Sequence, residues 1–395
     1  MKKGVLDGLR VVDFGRYVAA PYCATLLGYL GADVVRVERI GGGEDRFIAP
    51  LADDAGAVFM QTACNKRSVC LRLSDPAGRD VRDRLVQSAD VVVTNFPPGA
   101  QIKTGMDYAA LKNLRDDVIL ANVSSFGGDG PMAMQGGFDG VGQAMSGAMH
   151  MTGVPGAPVK AAAPYVDYST AVLTAFGVMA ALRERDQTGR GQEVNASLLG
   201  TALAVFNSHL VEQGVLGLDR VGTGNRVQTS APSDVFATSD GHVLVHCPGD
   251  NIFARIATLL ERHDWLDDER YANDLQRGEH RDVLCAPLAQ WCAARSSDEA
   301  LAQLNAAGVP CGPVLSPREA LAHPQVDALG ALASVDYGSE VSAAPVANLP
   351  VDLSVSETGI RRAPPRVGEH TEEVLQELGY DEDQRRALFA RGVVA

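Results

Sequence analysis

The chain has little that would tie it to nucleic acid, to a membrane or to an oxidising compartment. Its seven cysteines, Cys23, Cys64, Cys70, Cys247, Cys285, Cys292 and Cys311, are odd in number, scattered and without a Cys-x-x-Cys pair. They read as reduced core thiols of a cytoplasmic protein and not as a disulfide framework. Basic residues are outnumbered: the net charge of -14 argues against nucleic acid and against an anionic membrane surface as partner. No apolar run is expected to reach the roughly 18 residues of a membrane span, because Arg183 interrupts the longest one. Asp7 comes too soon after the start for a signal peptide. The histidines show no metal-ligand spacing, and His246 beside Cys247 has no second pair to complete a site.

A dinucleotide fingerprint is missing as well. Leu9–Phe14 reads as a strand, Pro21–Leu30 as a helix and Ala32–Val37 as a second strand. That βαβ unit implies a parallel sheet, which binds ligands at the carboxyl ends of its strands. Yet its first turn reads Gly15-Arg16-Tyr17-Val18-Ala19-Ala20-Pro21, without the Gly-x-Gly-x-x-Gly that lets a backbone approach a pyrophosphate. NAD is rejected on that ground, although Glu38 ends the second strand where a ribose-binding acid would stand.

What is present is enough apolar residue for a large core: 46% of 395 positions, a length that suits two domains. Further strands are expected at Val69–Leu73, Ala89–Thr94 and Val118–Ser124, with Asn65-Lys66-Arg67-Ser68 as a basic loop leading into the first of them. Asp75-Pro76 starts a helix, with Pro76 at its first position. Val235–Thr238 and Val243–His246 read as a hairpin around Asp240-Gly241.

The stretch from Ala163 to Ser197 is the most informative. Pro164 sets an entry turn, and a run from Ala171 to Leu182 is apolar on nearly every face, so a buried helix is expected. Arg183 and Arg185 load its last turns, and Gly189 is a stop. Asp167 therefore stands at the head of this helix. Asp in that place is a helix cap about half the time. It is also a carboxylate able to attack an activated acyl group. Spacing alone leaves both open.

Asp167 with its helix, Thr188-Gly189-Arg190-Gly191-Gln192, Gly137-Phe138-Asp139 and Asn65-Lys66-Arg67-Ser68, taken together and in order, resemble the class III CoA-transferases. That is the formyl-CoA transferase and carnitine CoA-transferase family, of the CaiB/BaiF type. The resemblance runs from Leu6 to about Gly379. It implies a Rossmann-like α/β large domain of residues 1–219 and 326–395, a small α+β domain of residues 220–325, and an interlocked homodimer. It also implies an acyl-CoA and a small carboxylic acid as substrates, with no permanently bound cofactor.

By the same resemblance Asp167 is the nucleophile and Asp139 a second catalytic acid. Coenzyme A contacts are implied for Arg16, Ala19, Arg39, Lys66, Leu71, Asn95, Phe96 and Lys103, with Phe96 stacking on adenine and Asn95 bonding the pantetheine arm. Related racemases carry a histidine base before the Asp139 position. Here it is Phe138, which cannot move a proton. A racemase-like isomerase and a non-catalytic acyl-CoA-binding protein are the alternatives.

Overall fold

The computed structural model describes residues 3–338 and 341–395. Six short strands, most of them rich in valine, line up in one sheet: β1 (Arg10–Asp13), β2 (Asp33–Glu38), β3 (Lys66–Cys70), β4 (Val91–Thr94), β5 (Ile119–Ser124) and β6 (Glu193–Ser197). Their order is β6-β5-β4-β1-β2-β3, and every pairing is parallel. The order reverses between β1 and β4. At such a switch point the loops after the two central strands diverge and leave a crevice.

Alternate side chains feed two cores, as the period of a strand requires. Val11, Val34, Val93 and Ile119 pack with α1 (Ala19–Tyr29) and with the longer helix α5 introduced below. Val12, Val35, Val69 and Val92 face the other way, towards Val81 and Leu85 of α2 (Pro76–Ser88) and towards Val374 and Leu375 near the carboxyl end. Helix α2 begins as its sequence dictates: Asp75 accepts the N–H of Ala77 and Pro76 follows. Three further helices border the crevice: α3 (Pro98–Thr104), α4 (Asp139–Met145) and α5 (Tyr165–Thr188). The last stops at Gly189, whose φ of 69° suits a residue without Cβ. α6 (Leu198–Leu216) follows β6 directly.

Three expectations change. Asn65–Ser68 is not a loop. Lys66 to Ser68 already belong to β3, and Lys66 is fully buried with its ammonium 2.7 Å from Asp13 Oδ2 and 2.7 Å from the Pro21 carbonyl. Arg67 is held by Asp33, Glu373 and Glu377. Second, α5 is not buried all round. Val166, Ala171 and Val178 face the core, whereas Phe176 is 71% exposed and Val172 and Leu173 are about half exposed. Third, Arg183 does not keep the apolar run short of a membrane span: Tyr165–Thr188 is long and apolar enough by length and composition to cross a membrane. Here it is instead the helix that covers one core of the sheet.

The chain divides into two units. One comprises Met1–Ala148, Ala161–Leu216 and Gln325–Ala395, and the other Met149–Lys160 and Gly217–Pro324. Met149–Lys160, assigned from sequence to the large domain, thus goes with the smaller unit. That unit has a three-stranded sheet in which β7 (Asp234–Ala237) pairs antiparallel with β8 (His242–Val245), and β8 with β9 (Cys311–Pro313). Thr238 N–H bonds Gly241 O across the Asp-Gly turn. Trp265 and Leu304 fill its core.

Candidate active site

Two cavities open at the carboxyl edge of the sheet, one on each side of the switch point. A cavity of about 410 Å³ is lined by Tyr17, Ala19, Asn95, Ser124, Phe138 and Asp167, among others. A cavity of about 340 Å³ is lined by Phe14, Arg39, Leu71, Arg72 and Ser74 and borders β1, β2 and β3. Arg16 and Phe96 line both. They come from the loops after β1 and β4, the strands between which the order reverses.

Asp167 sits in the first turn of α5 and reaches the larger cavity. It does not cap its own helix. The cap is Asp139, 28 positions earlier, whose Oδ1 accepts Val166 N–H at 2.7 Å and Asp167 N–H at 3.1 Å. Oδ2 of Asp139 accepts Gln143 Nε2 at 2.5 Å, and Gln143 Oε1 accepts Ala161 N–H at 2.9 Å. Asp139 is therefore spent: it is buried, it is not among the residues lining the cavity, and both its oxygens are occupied. What the geometry shows of Asp139, expected as a second catalytic acid, is a group that holds the backbone carrying Asp167.

Among the described residues, the Asp167 carboxylate has no hydrogen-bond partner. Burial pushes its pKa up, and the Asp139 charge adds to that, to about 7. A carboxylate with free lone pairs, facing a cavity and raised in basicity, is a better nucleophile than an ordinary aspartate.

Glu38, which ends β2 where a ribose-binding acid would stand, is fully partnered within the protein. Its oxygens accept Arg46 Nη2 at 2.7 Å, Arg46 Nε at 2.8 Å, Ser68 Oγ at 2.6 Å and Gly43 N–H at 3.0 Å. Burial pushes this acid up, but Arg46 and Arg36 outweigh it and hold Glu38 at about 2. Under the smaller cavity, Arg36, Arg46 and Lys66 thus face Asp13, Glu38 and Asp45, all at 6% exposure or less.

The expected coenzyme contacts divide. Arg16, Arg39, Leu71 and Phe96 line the smaller cavity, and Arg16, Ala19, Asn95 and Phe96 the larger. Asn95 is partly committed: its Oδ1 accepts Arg16 N–H at 2.9 Å and its Nδ2 donates to Arg16 O at 2.8 Å. It holds the Arg16 backbone and keeps one N–H for a ligand. Lys103 is exposed in the last turn of α3 and lines neither cavity. Lys66 lies inside the sheet and lines neither cavity. Arg72, not singled out from sequence, is an exposed cation at the end of β3. Its position at the carboxyl end of a parallel strand was the signal that marked it.

Tyr17 and Phe138 form an edge-to-face pair with centroids 5.1 Å apart, on the wall of the larger cavity. Tyr17 has φ of 63°, a strained value for an aromatic residue. Among the described residues, no group of three or more His, Cys, Asp or Glu side chains is placed to hold a metal ion.

Comparison with known proteins fits this arrangement. Residues 6–371 match the family described as CoA-transferase family III. The chain is 33% identical to an acyl-CoA transferase of Fusarium pseudograminearum, over 99% of this chain and 89% of that one. It is 32% identical to the succinyl-CoA–L-malate CoA-transferase beta subunit of Chloroflexus aurantiacus, over 98% of each. A crystal structure of a CaiB/BaiF family protein from Brucella suis superposes with a TM-score of 0.85 at 30% identity, covering 96% of this chain and all of that one. A Rossmann-ordered sheet with a lone aspartate at its crevice, and this match over nearly the whole length, make the chain a member of CoA-transferase family III, an enzyme family whose substrates are coenzyme A thioesters.

Proposed function

We propose that the enzyme moves coenzyme A from an acyl-CoA to a free carboxylic acid, with Asp167 carrying both halves in turn. The observation that carries this reading is the unpartnered Asp167 carboxylate facing the larger cavity while a neighbouring carboxylate, Asp139, is fully bonded.

The steps balance without an outside reagent. An Asp167 oxygen attacks the thioester carbonyl, the C–S bond breaks, and a mixed anhydride and CoA thiolate result. The thiolate attacks the aspartyl carbonyl and releases the donor acid, which leaves an aspartyl-CoA thioester. The acceptor carboxylate attacks that carbonyl, forms a second anhydride and frees the thiolate again. Thiolate attack on the acceptor's carbonyl gives the new acyl-CoA and restores Asp167. Both acids can also belong to one diacid, which makes the transfer intramolecular.

Oxyanions formed along the way need donors. Gly136 and Gly137 line the cavity and their N–H groups have no partner among the described residues, so these are the candidates. The smaller cavity takes the nucleotide half of CoA, with Phe96 against adenine and Arg16, Arg39 and Arg72 towards phosphate. Arg16 bridges the two. Related proteins named as a succinyl-CoA–L-malate and a succinate–glutarate CoA-transferase support dicarboxylic acids as one class to test. Phe138 offers no proton to a substrate α-carbon, so transfer is favoured over racemisation.

The working form proposed is a homodimer in the cytoplasm. The exposed apolar side chains of Val172, Leu173 and Phe176 on α5 and of Val205, Val211 and Val215 on α6 support a covered face. The function is tested by incubating the enzyme with a panel of CoA esters and free acids and following new CoA esters by chromatography. Exchange with at least one pair is expected. Solvent deuterium at the α-carbon without any exchange between acids would replace this reading by an isomerase.

A further inference from the structure

The smaller cavity holds a carboxylate where a phosphate-binding site should carry none. Oε1 of Glu44 stands 3.4 Å from Arg39 Nη1 and 3.9 Å from Arg16 Nη1. Glu44 lines this cavity together with both arginines. Arg39 Nε is anchored on Gly42 O at 2.8 Å, and Arg16 lies 5.2 Å from the centroid of the Phe96 ring.

The ion pairs to Glu44 are long and do not reach hydrogen-bond distance. Their members are 35 to 56% exposed, so water screens them and little is lost when they break.

The backbone beneath Glu44 is fixed. The next residue, Asp45, is fully buried and accepts Arg36 Nη2 at 2.7 and 2.8 Å. The one after, Arg46, is fully buried on Glu38. A short 3₁₀ helix, Glu44–Phe47, is thus pinned from below through Asp45 and Arg46, while the Glu44 side chain is 35% exposed.

We propose that Glu44 is a tethered anion that occupies the phosphate seat between Arg16 and Arg39 in the empty enzyme and yields to the phosphates of coenzyme A. This rests on the CoA-transferase reading above. The tether keeps the arginines in place and holds off inorganic phosphate, whereas CoA, with several phosphates and an adenine contact, displaces it. The carboxylate therefore sets the affinity for the nucleotide half of the substrate and costs part of it.

The test is binding of CoA, adenosine 3′,5′-bisphosphate, pantetheine and inorganic phosphate to the full chain and to Glu44→Gln and Glu44→Ala, by calorimetry at low and high salt. Both variants are expected to bind CoA and the bisphosphate about 2- to 5-fold more tightly at low salt, the scale of exposed ion pairs. The gain shrinks at high salt, pantetheine is unaffected, and inorganic phosphate becomes a better competitor. Unchanged or weaker CoA binding in both variants, or an equal gain for pantetheine, overturns the proposal. Failure of the unmodified chain to bind CoA at all would instead remove the functional reading on which it stands.

Discussion

Glu38 and Asp167 are both carboxylates drawn largely out of water at the same edge of one sheet, and their surroundings send them opposite ways. Around Glu38 every lone pair meets a donor, two guanidinium groups stand beside it, and the acid falls to about 2. Around Asp167 the nearest charge is another carboxylate and no donor reaches it, and the acid rises to about 7. Burial by itself does not mark a functional group. A buried charge with full partners is architecture, while one left short of partners beside a cavity costs stability and holds reactivity.

The contrast can be broken most severely at Asp167. Asp167→Asn is expected to lower acyl exchange by at least about 10³-fold while CoA still binds, because the nucleophile goes and the pocket stays. Steady-state kinetics beside calorimetry decides it. Next comes Glu38→Gln, which takes from buried Arg46 its close carboxylate partner and should cost about 3–5 kcal/mol in urea unfolding. Since Glu38 is held below its unfolded value, its contribution is present above about pH 4.3 and disappears as the pH falls through its folded value near 2.

A subtler variant is Asp139→Asn, which keeps the capping oxygen but drops the charge. For the unmodified enzyme kcat/KM should rise with pH through about 7, as Asp167 ionises. In Asp139→Asn that rise should move part of the way down, since burial, the larger cause, remains. An unmoved profile would show that Asp167 does not feel its neighbour.

The same site makes a stability prediction with the reverse sign to Glu38. Asp167 has a folded pKa above its unfolded value, so its favourable contribution is complete below about pH 3.9 and is lost as the pH rises through 7. Asp167→Asn should accordingly stabilise the chain by about 1–2 kcal/mol at pH 8 and by nothing near pH 4. The gain stays well below that for a fully buried group, because the cavity leaves the carboxylate in contact with water. Smallest of all, Lys103→Ala, outside both cavities, should change CoA affinity by less than about 2-fold.

Much of this was legible in the chain. Valine runs between turn signals marked β1, β2, β4 and β5, and Pro164, Asp167 and Gly189 marked both ends of α5, because those signals are local. What escaped depends on partners far away in sequence. Lys66 and Arg67 looked like a basic loop, since nothing near them tells that Asp13 and Asp33, 53 and 34 residues away, would take them into the sheet. The cap of α5 was likewise invisible, because it comes from another helix. The half-exposed face of α5 could not be read either, since an apolar run looks the same against a core and against solvent.

The most direct test is to trap the covalent state. The enzyme is incubated with an accepted CoA ester, treated with hydroxylamine, digested and read by mass spectrometry. The account predicts a hydroxamate or a CoA adduct on the peptide bearing Asp167, and none in Asp167→Asn. Continued exchange between acids with no adduct on Asp167, or with the adduct on another residue, would contradict it.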